Sequence, residues 1–271
     1  MSNGQKIIKS FALALAMTLI VIILSLVLSG FYLVSLIIGS NSIDDKSYSE
    51  NITSTCNLDS NILYLDIDLS YVDLNIKYGN DFSISSNGSI KCTTSSNKIE
   101  ISENQKINFV KANKTLIISI PDNYKFKFVE INTVVGKVNI NNIITDKLKL
   151  DLGAGVTVID KINSYNTSID SGTGKIEIKS GNIRNLDFDI GMGKANITAF
   201  IGGNSKIDSG IGEVNLNLLG NSDDYKLTIS KGFGSIKLDN SELSDDSIIG
   251  EGINSIDIDG GIGNINIDYV N

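Results

Sequence analysis

The sequence predicts an all-β fold: a β-solenoid-like stack of short strands in coils of about 19 residues, preceded by one transmembrane α-helix. Three observations carry this. Glycines recur at Gly136, Gly155, Gly174, Gly193 and Gly212, in steps of 19 residues, and a fixed period of that size marks stacked supersecondary units. Around each glycine, apolar and polar residues alternate with period two, as half-buried strands do. Near the N-terminus, Ser10 to Ile43 contains no charged residue.

In chain order, residues 1–10 form a cytoplasmic N-terminus and 11–39 the transmembrane helix. A bilayer core of about 30 Å needs about 20 apolar residues, so this run is long enough to cross with some tilt. Lys6 and Lys9 precede it and Asp44 and Asp45 follow, which by the positive-inside rule places the remainder outside. A cleavable signal peptide is the rival reading, with Leu28-Ser29-Gly30 as a weak cleavage site, but signal cores run only about 7–15 residues. Residues 40–56, rich in Ser and Asn, read as a stalk.

Residues 57–125 read as an all-β capping region. Strand patterns run at 62–68, 71–76, 82–85, 98–102 and 115–120, and the only proline, Pro121, closes the last of them, where a missing N–H costs least. Residues 126–271 form the Gly-x-Gly repeat domain. After the second glycine, positions +2 and +4 are apolar at Val138/Ile140, Ile176/Ile178, Ala195/Ile197, Val214/Leu216 and Ile236/Leu238. Before the first glycine, −3 and −5 are largely apolar too, as in Leu148/Leu150 and Leu186/Phe188. Each unit thus has two arms, each with one dry side, and stacked neighbours must bury it.

The corner glycines are the pairs Gly153/Gly155, Gly172/Gly174, Gly191/Gly193, Gly210/Gly212, Gly232/Gly234 and Gly261/Gly263, with Gly136 alone in the first copy. A residue without Cβ permits positive φ and close coil contact there. In chain order the later copies are expected at Gly234, at Asn254 with asparagine in the glycine's place, and at Gly263 as a final half-step.

The runs Ser119-Ile120-Pro121 and Val129 to Ile140, then the repeated Gly-x-Gly-Lys-x-x-Ile, resemble the bacterial β-strand-repeat "putative adhesin" family, or toastrack domains, over about 62–271. The resemblance implies a repetitive β architecture facing outward, often behind an N-terminal membrane span and sometimes linked with envelope-stress systems. It carries over no catalytic residues.

Composition narrows the chemistry. No acid precedes Asp44, so the formal −8 loses Lys6 and Lys9 and becomes −10 beyond the apolar run; such a surface argues against nucleic acid and anionic lipid. The absence of histidine and tryptophan removes histidine triads and histidine metal sites. Cys56 and Cys92 could close one loop in an oxidising compartment, worth roughly 3–4 kcal/mol on the chain-entropy model, or remain two thiols; with no CxxC, zinc is not expected. No glycine pair continues as a nucleotide-binding fingerprint.

One reactive group recurs, an acid two residues before the first glycine: Asp151, Asp170, Asp189, Asp208 and Asp259, with Asn132 and Ser230 in that place elsewhere. Since −3 points inward, −2 points outward, and stacking lines the acids into a ladder. Neighbours about 5 Å apart in water repel by roughly 0.8 kcal/mol. Two readings offset that: each carboxylate accepts a backbone N–H at its own turn, or calcium binds between coils through Asp151, Asp170, Asp189 and Asp208. The first is preferred, because Asn and Ser could replace Asp in it. Lys137, Lys175 and Lys194 at +1 are expected as a solvated row opposing the acids. The expectation is a single-pass membrane protein whose extracytoplasmic β-repeat domain is a binding or adhesion module, with the bilayer contacted through 11–39 and an envelope or surface protein as partner. It has no cofactor and no catalysis. The alternative is an envelope-stress accessory that binds a membrane sensor or an envelope-active compound.

Overall fold

The computed structural model describes residues 54–55, 61–103 and 114–270. The expected cytoplasmic N-terminus 1–10, the helix at 11–39 and most of the stalk at 40–56 lie outside the described residues. Among those described, the regular structure is β apart from one 3-10 turn at Ser222–Asp224, and no helix is long and apolar enough to cross a membrane. The described residues fall in one compact unit.

That unit is a stack of parallel rungs in the 19-residue register. Gly193 pairs with Gly174 on one side and Gly212 on the other; Ala195 likewise lies between Ile176 and Val214. Along each arm the +2 and +4 residues point inward, so Ile176, Ile178, Ala195, Ile197, Val214 and Leu216 are all buried, as are Leu148, Leu150, Leu186 and Phe188 before the corner. The inward residues of all rungs join into one core, which includes Leu65, Ile67, Leu74, Ile76, Ile99 and Ile118 from the 57–125 region.

A third side completes each rung, beyond the two arms read from sequence. Gly181–Arg184 pairs with residues 162–164 below and 200–202 above. Ile143, Ile162, Ile183 and Ile201 fill its inner face. The buried hydroxyls of Thr145 and Ser164 donate to the carbonyls of Lys147 and Asn166 at 2.9 and 3.1 Å. These polar residues at inward positions break the alternation and hide the side in the sequence.

The order of the later copies differs from the chain order. The rung on top of Gly212 is the last one in sequence, Asn254–Val270, with Gly212 against Gly263 and Asp208 against Asp259. The earlier segments Tyr225–Lys231 and Ser235–Leu238 lie beyond it. Asn254 is therefore not a corner. It is buried beside Tyr225; its amide donates to the Asp224 carbonyl at 2.9 Å and accepts from Gly203 N–H at 3.0 Å. Asparagine can serve both neighbours at once, having donors and acceptor on one short side chain.

The other end mirrors this. Tyr64–Leu69 and Asp73–Tyr78 stack on the Gly136 rung, and the later segments Lys98–Glu103 and Thr115–Ile120 lie outside them. At both ends, then, the segment nearer the terminus lies second from the outside. Short antiparallel strands close the outermost rungs: Ile90–Ser95 and Ser83–Ser86 at one end, Ser247–Ile249 and Ser241–Glu242 at the other. Such brief antiparallel pieces leave little open edge for another chain to extend. Cys92, on Ile90–Ser95, is disulfide-bonded; the other cysteine of the sequence, Cys56, lies outside the described residues.

Candidate functional site

The outward face before the corner carries the acid ladder. Asp189 pairs in register with Asp170 and Asp208, Asp208 with Asp259, and Asp259 with Ser230. At the other end Asp68 stands against Asn132, extending the row into the capping region. One lysine reaches into it from the neighbouring row, Lys206 lying 2.6 Å from Asp208 and 3.7 Å from Asp259, while Lys149 pairs within that row with Glu130 at 2.8 Å. Asp151, Asp170 and Asp189 have no ion pair among the described residues.

Three expectations about charge meet this geometry. None of the five ladder carboxylates accepts a backbone N–H of its own turn among the described residues. The acids that cap turn N–H groups stand toward the two ends of the stack instead: Asp73 accepts from Lys137 N–H and Asp245 from Lys231 N–H, both at 2.7 Å. Lys175 and Lys194 do not oppose the ladder; they pair with Glu177 and Glu213 at 2.7 and 3.0 Å on the other arm. Among the described residues, no three acidic, cysteine or histidine side chains converge as a metal site.

The ladder leaves a residual strain on one group. Partial burial, followed by the charges of Asp189, Asp151 and Asp187, holds the Asp170 carboxyl above its ordinary value. A carboxyl with a raised folded pKa binds more protons in the folded state, so its contribution to stability falls as pH rises from about 3.9 through the folded value. Replacing Asp170 and Asp189 by Asn is therefore expected to raise the thermal midpoint slightly at pH 7, with the advantage fading as pH falls toward 3.5. A rise of several degrees for the wild type in millimolar calcium, absent in the double variant, would instead assign the ladder to the metal.

After the corner, the outward face pairs its charges as Lys175–Glu177 and Lys194–Glu213 and bonds its asparagines to one another. Asn215 donates to Asn196 and Asn266 to Asn215, each at 2.8 Å, and Asn139 donates to Asn75 at 2.9 Å. At the corner itself the residue between the glycines forms a ridge, Met192 against Ile211 and Ile211 against Ile262. It grows more exposed toward the outer rung, from 38% at Ile211 through 53% at Ile262 to 91% at Phe233.

The third side carries a groove of about 330 Å³, open to solvent and lined by Lys125, Asp146, Asn163, Tyr165, Asn182 and Arg184 among others. Asn163 pairs with Asn182 one rung away, and Tyr165 and Arg184 follow two residues later in the same register. Lys125 and Asp146 form an ion pair of 2.6 Å at one edge.

Against sequence families, residues 62–268 match the one described as Toastrack DUF4097. The chain belongs to the toastrack family. No curated protein matches it. Solved structures similar to the toastrack domain include a "putative cell adhesion protein" of Clostridium sporogenes ATCC 15579, 14% identical with a TM-score of 0.34, covering 78% of this chain and 94% of that one. A "putative adhesin" of Bacteroides fragilis NCTC 9343 is 12% identical with a TM-score of 0.36, covering 78% and 93%. Another from Parabacteroides merdae ATCC 43184 is 14% identical with a TM-score of 0.40, covering 80% and 95%.

Within the toastrack domain, the sequence pattern led to the ladder and the corner but not to the groove. A signal was present: Asn163/Asn182 and Tyr165/Arg184 are each 19 residues apart, the spacing of the glycines. It is visible only once a third side per rung is recognised.

Proposed function

We propose that this chain is a single-pass membrane protein whose residues 11–39 cross the bilayer and whose toastrack domain is displayed outside the cell as a non-catalytic binding module of the adhesion type. One observation supports this most. Two outward rows carry files of like groups repeating at the strand spacing of about 4.8 Å, the acids Asp170, Asp189, Asp208 and Asp259 before the corner and the amides Asn196, Asn215 and Asn266 after it. A regular surface of this kind suits recognition of an extended partner, whereas catalysis needs unlike groups converging on one point. Among the described residues the Asp ladder and the amide rows run along the stack rather than converging.

The membrane placement is tested by adding protease to intact cells stripped of their wall. The expected result is loss of the toastrack domain with a small N-terminal fragment left in the membrane; mature protein beginning near Phe31 would overturn it. Crosslinking in intact cells followed by purification of the chain tests the binding role. Recovery of a surface partner supports it, and recovery of the chain alone counts against it.

A further inference from the structure

We propose that the groove on the third side of the stack binds a sugar chain carrying an anionic group, with Arg184 holding the anion, Tyr165 lying under the sugar ring and Asn163 and Asn182 meeting its hydroxyls. The proposal deepens the reading of the domain as a binding module and rests on it.

The groove differs from the amide rows after the corner in leaving its asparagines uncommitted. After the corner, stacked asparagines bond to one another along the rows. Asn163 and Asn182 are also stacked one rung apart, yet neither amide has a hydrogen-bond partner among the described residues. Their donors and acceptors therefore face the groove unpaired by protein. An amide offers both kinds of group, as the hydroxyls of a sugar require.

Arg184 is the only arginine in the sequence. It is exposed, lines the groove and forms no ion pair or hydrogen bond among the described residues. Many of the chain's lysines, by contrast, are matched with a carboxylate, as at Lys98, Lys125, Lys149, Lys175, Lys179, Lys194 and Lys206. A planar guanidinium left free beside a cavity is suited to a carboxylate or phosphate, which it can hold through two parallel bonds. An acidic domain with one uncommitted guanidinium selects a ligand with a localised anion rather than a dense polyanion, which the surrounding carboxylates repel.

Tyr165 supplies the apolar element. Its side chain is 57% exposed and stands one rung from Arg184, where a ring gives a rigid flat surface at small entropic cost. Aromatic face, free amides and a single cation together match a ring with an apolar side, hydroxyls and an acid group. A volume of about 330 Å³ is at the small end of ligand sites, and the open form lets a longer chain continue past it along the stack.

The single arginine makes the test specific. Full-length chain in detergent, labelled with nitrogen-15 only in arginine, has one side-chain Nε signal. Trigalacturonate presents sugar carboxylates, glucose 1-phosphate a sugar phosphate, maltotriose a neutral sugar and polyglutamate an acidic peptide. The expected result is a saturable shift with trigalacturonate or glucose 1-phosphate, the better of the two identifying the anion, and little with maltotriose. Tyr165→Ala should abolish saturation and Arg184→Lys, followed by calorimetry, should weaken binding at least tenfold, both with unchanged thermal midpoints because the two side chains are exposed. No shift with either anionic sugar would overturn the proposal. So would an equal response to polyglutamate that survives Tyr165→Ala, which would mark a simple charge site. If the groove proves silent while crosslinking still recovers a partner, the groove assignment falls and the binding-module reading stands.

Discussion

Truncation of the chain after Ile253 is expected to unfold the outer end of the stack while leaving its middle folded. The segment removed, Asn254–Val270, is paired on both sides, with Asn204–Leu219 below and with Tyr225–Lys231 and Ser235–Leu238 above. It buries Ile256, Ile258, Ile265 and Ile267, each worth about 1.5–3 kcal/mol on transfer from water, against a usual total of about 5–15 kcal/mol for a domain. Tyr269, stacked 6.0 Å from Tyr225, is lost with it, and so is the Asn254 amide that bridges Asp224 and Gly203. Rungs interact only with neighbours, so the loss stays local. Hydrogen exchange should show residues 225–249 unprotected and the Gly155 and Gly174 rungs protected as before. Protection of 225–249 at the wild-type level would mean that the Gly234 corner reseats directly on Gly212 and that the inserted strand is dispensable.

That inverted order explains which parts of the fold could be read from sequence. Within 126–219 each rung stacks on its predecessor, so spacing in sequence equals spacing in space, and the inward residues from Val129 to Leu216 follow from the period alone. At both ends the chain leaves an outer rung and a terminal segment enters beneath it. Gly234 and Gly263 carry the right local pattern, but which of them touches Gly212 depends on how the loop at 239–253 returns, and no local propensity encodes that. The third side was lost for another reason. Thr145 and Ser164 satisfy their hydroxyls on nearby carbonyls, so polar residues occupy inward positions at little cost and the alternation lapses. The ladder shows the reverse failing. Its register was legible, while the ion pairs were not, because Lys206 reaches Asp208 and Asp259 from a different row.

Gly193→Ala is expected to lower stability by at least about 3 kcal/mol, two penalties combining at one atom. The first is conformational: φ at Gly193 is +146°, and at its stacking partner Gly174 it is +150°, a region that L side chains rarely adopt. The second is spatial. A Cβ on Gly193 would fall on the carbonyl oxygen of Gly174, far inside van der Waals contact, and the obstacle is backbone fixed by the roughly 4.8 Å spacing of the strands. Relief requires the two rungs to part, which breaks their pairing at the corner. Gly260→Ala supplies the contrast, because there the nearest atoms are the ends of the Ile236 and Ile265 side chains at 3.2 and 3.6 Å, which can rotate away. Its effect should stay within about 1 kcal/mol. For a domain of this size about 3 kcal/mol corresponds to a fall of roughly 6–12 °C in thermal midpoint. Equal midpoints for the two variants would show that the corner yields, and that close backbone contact is not what selects glycine there.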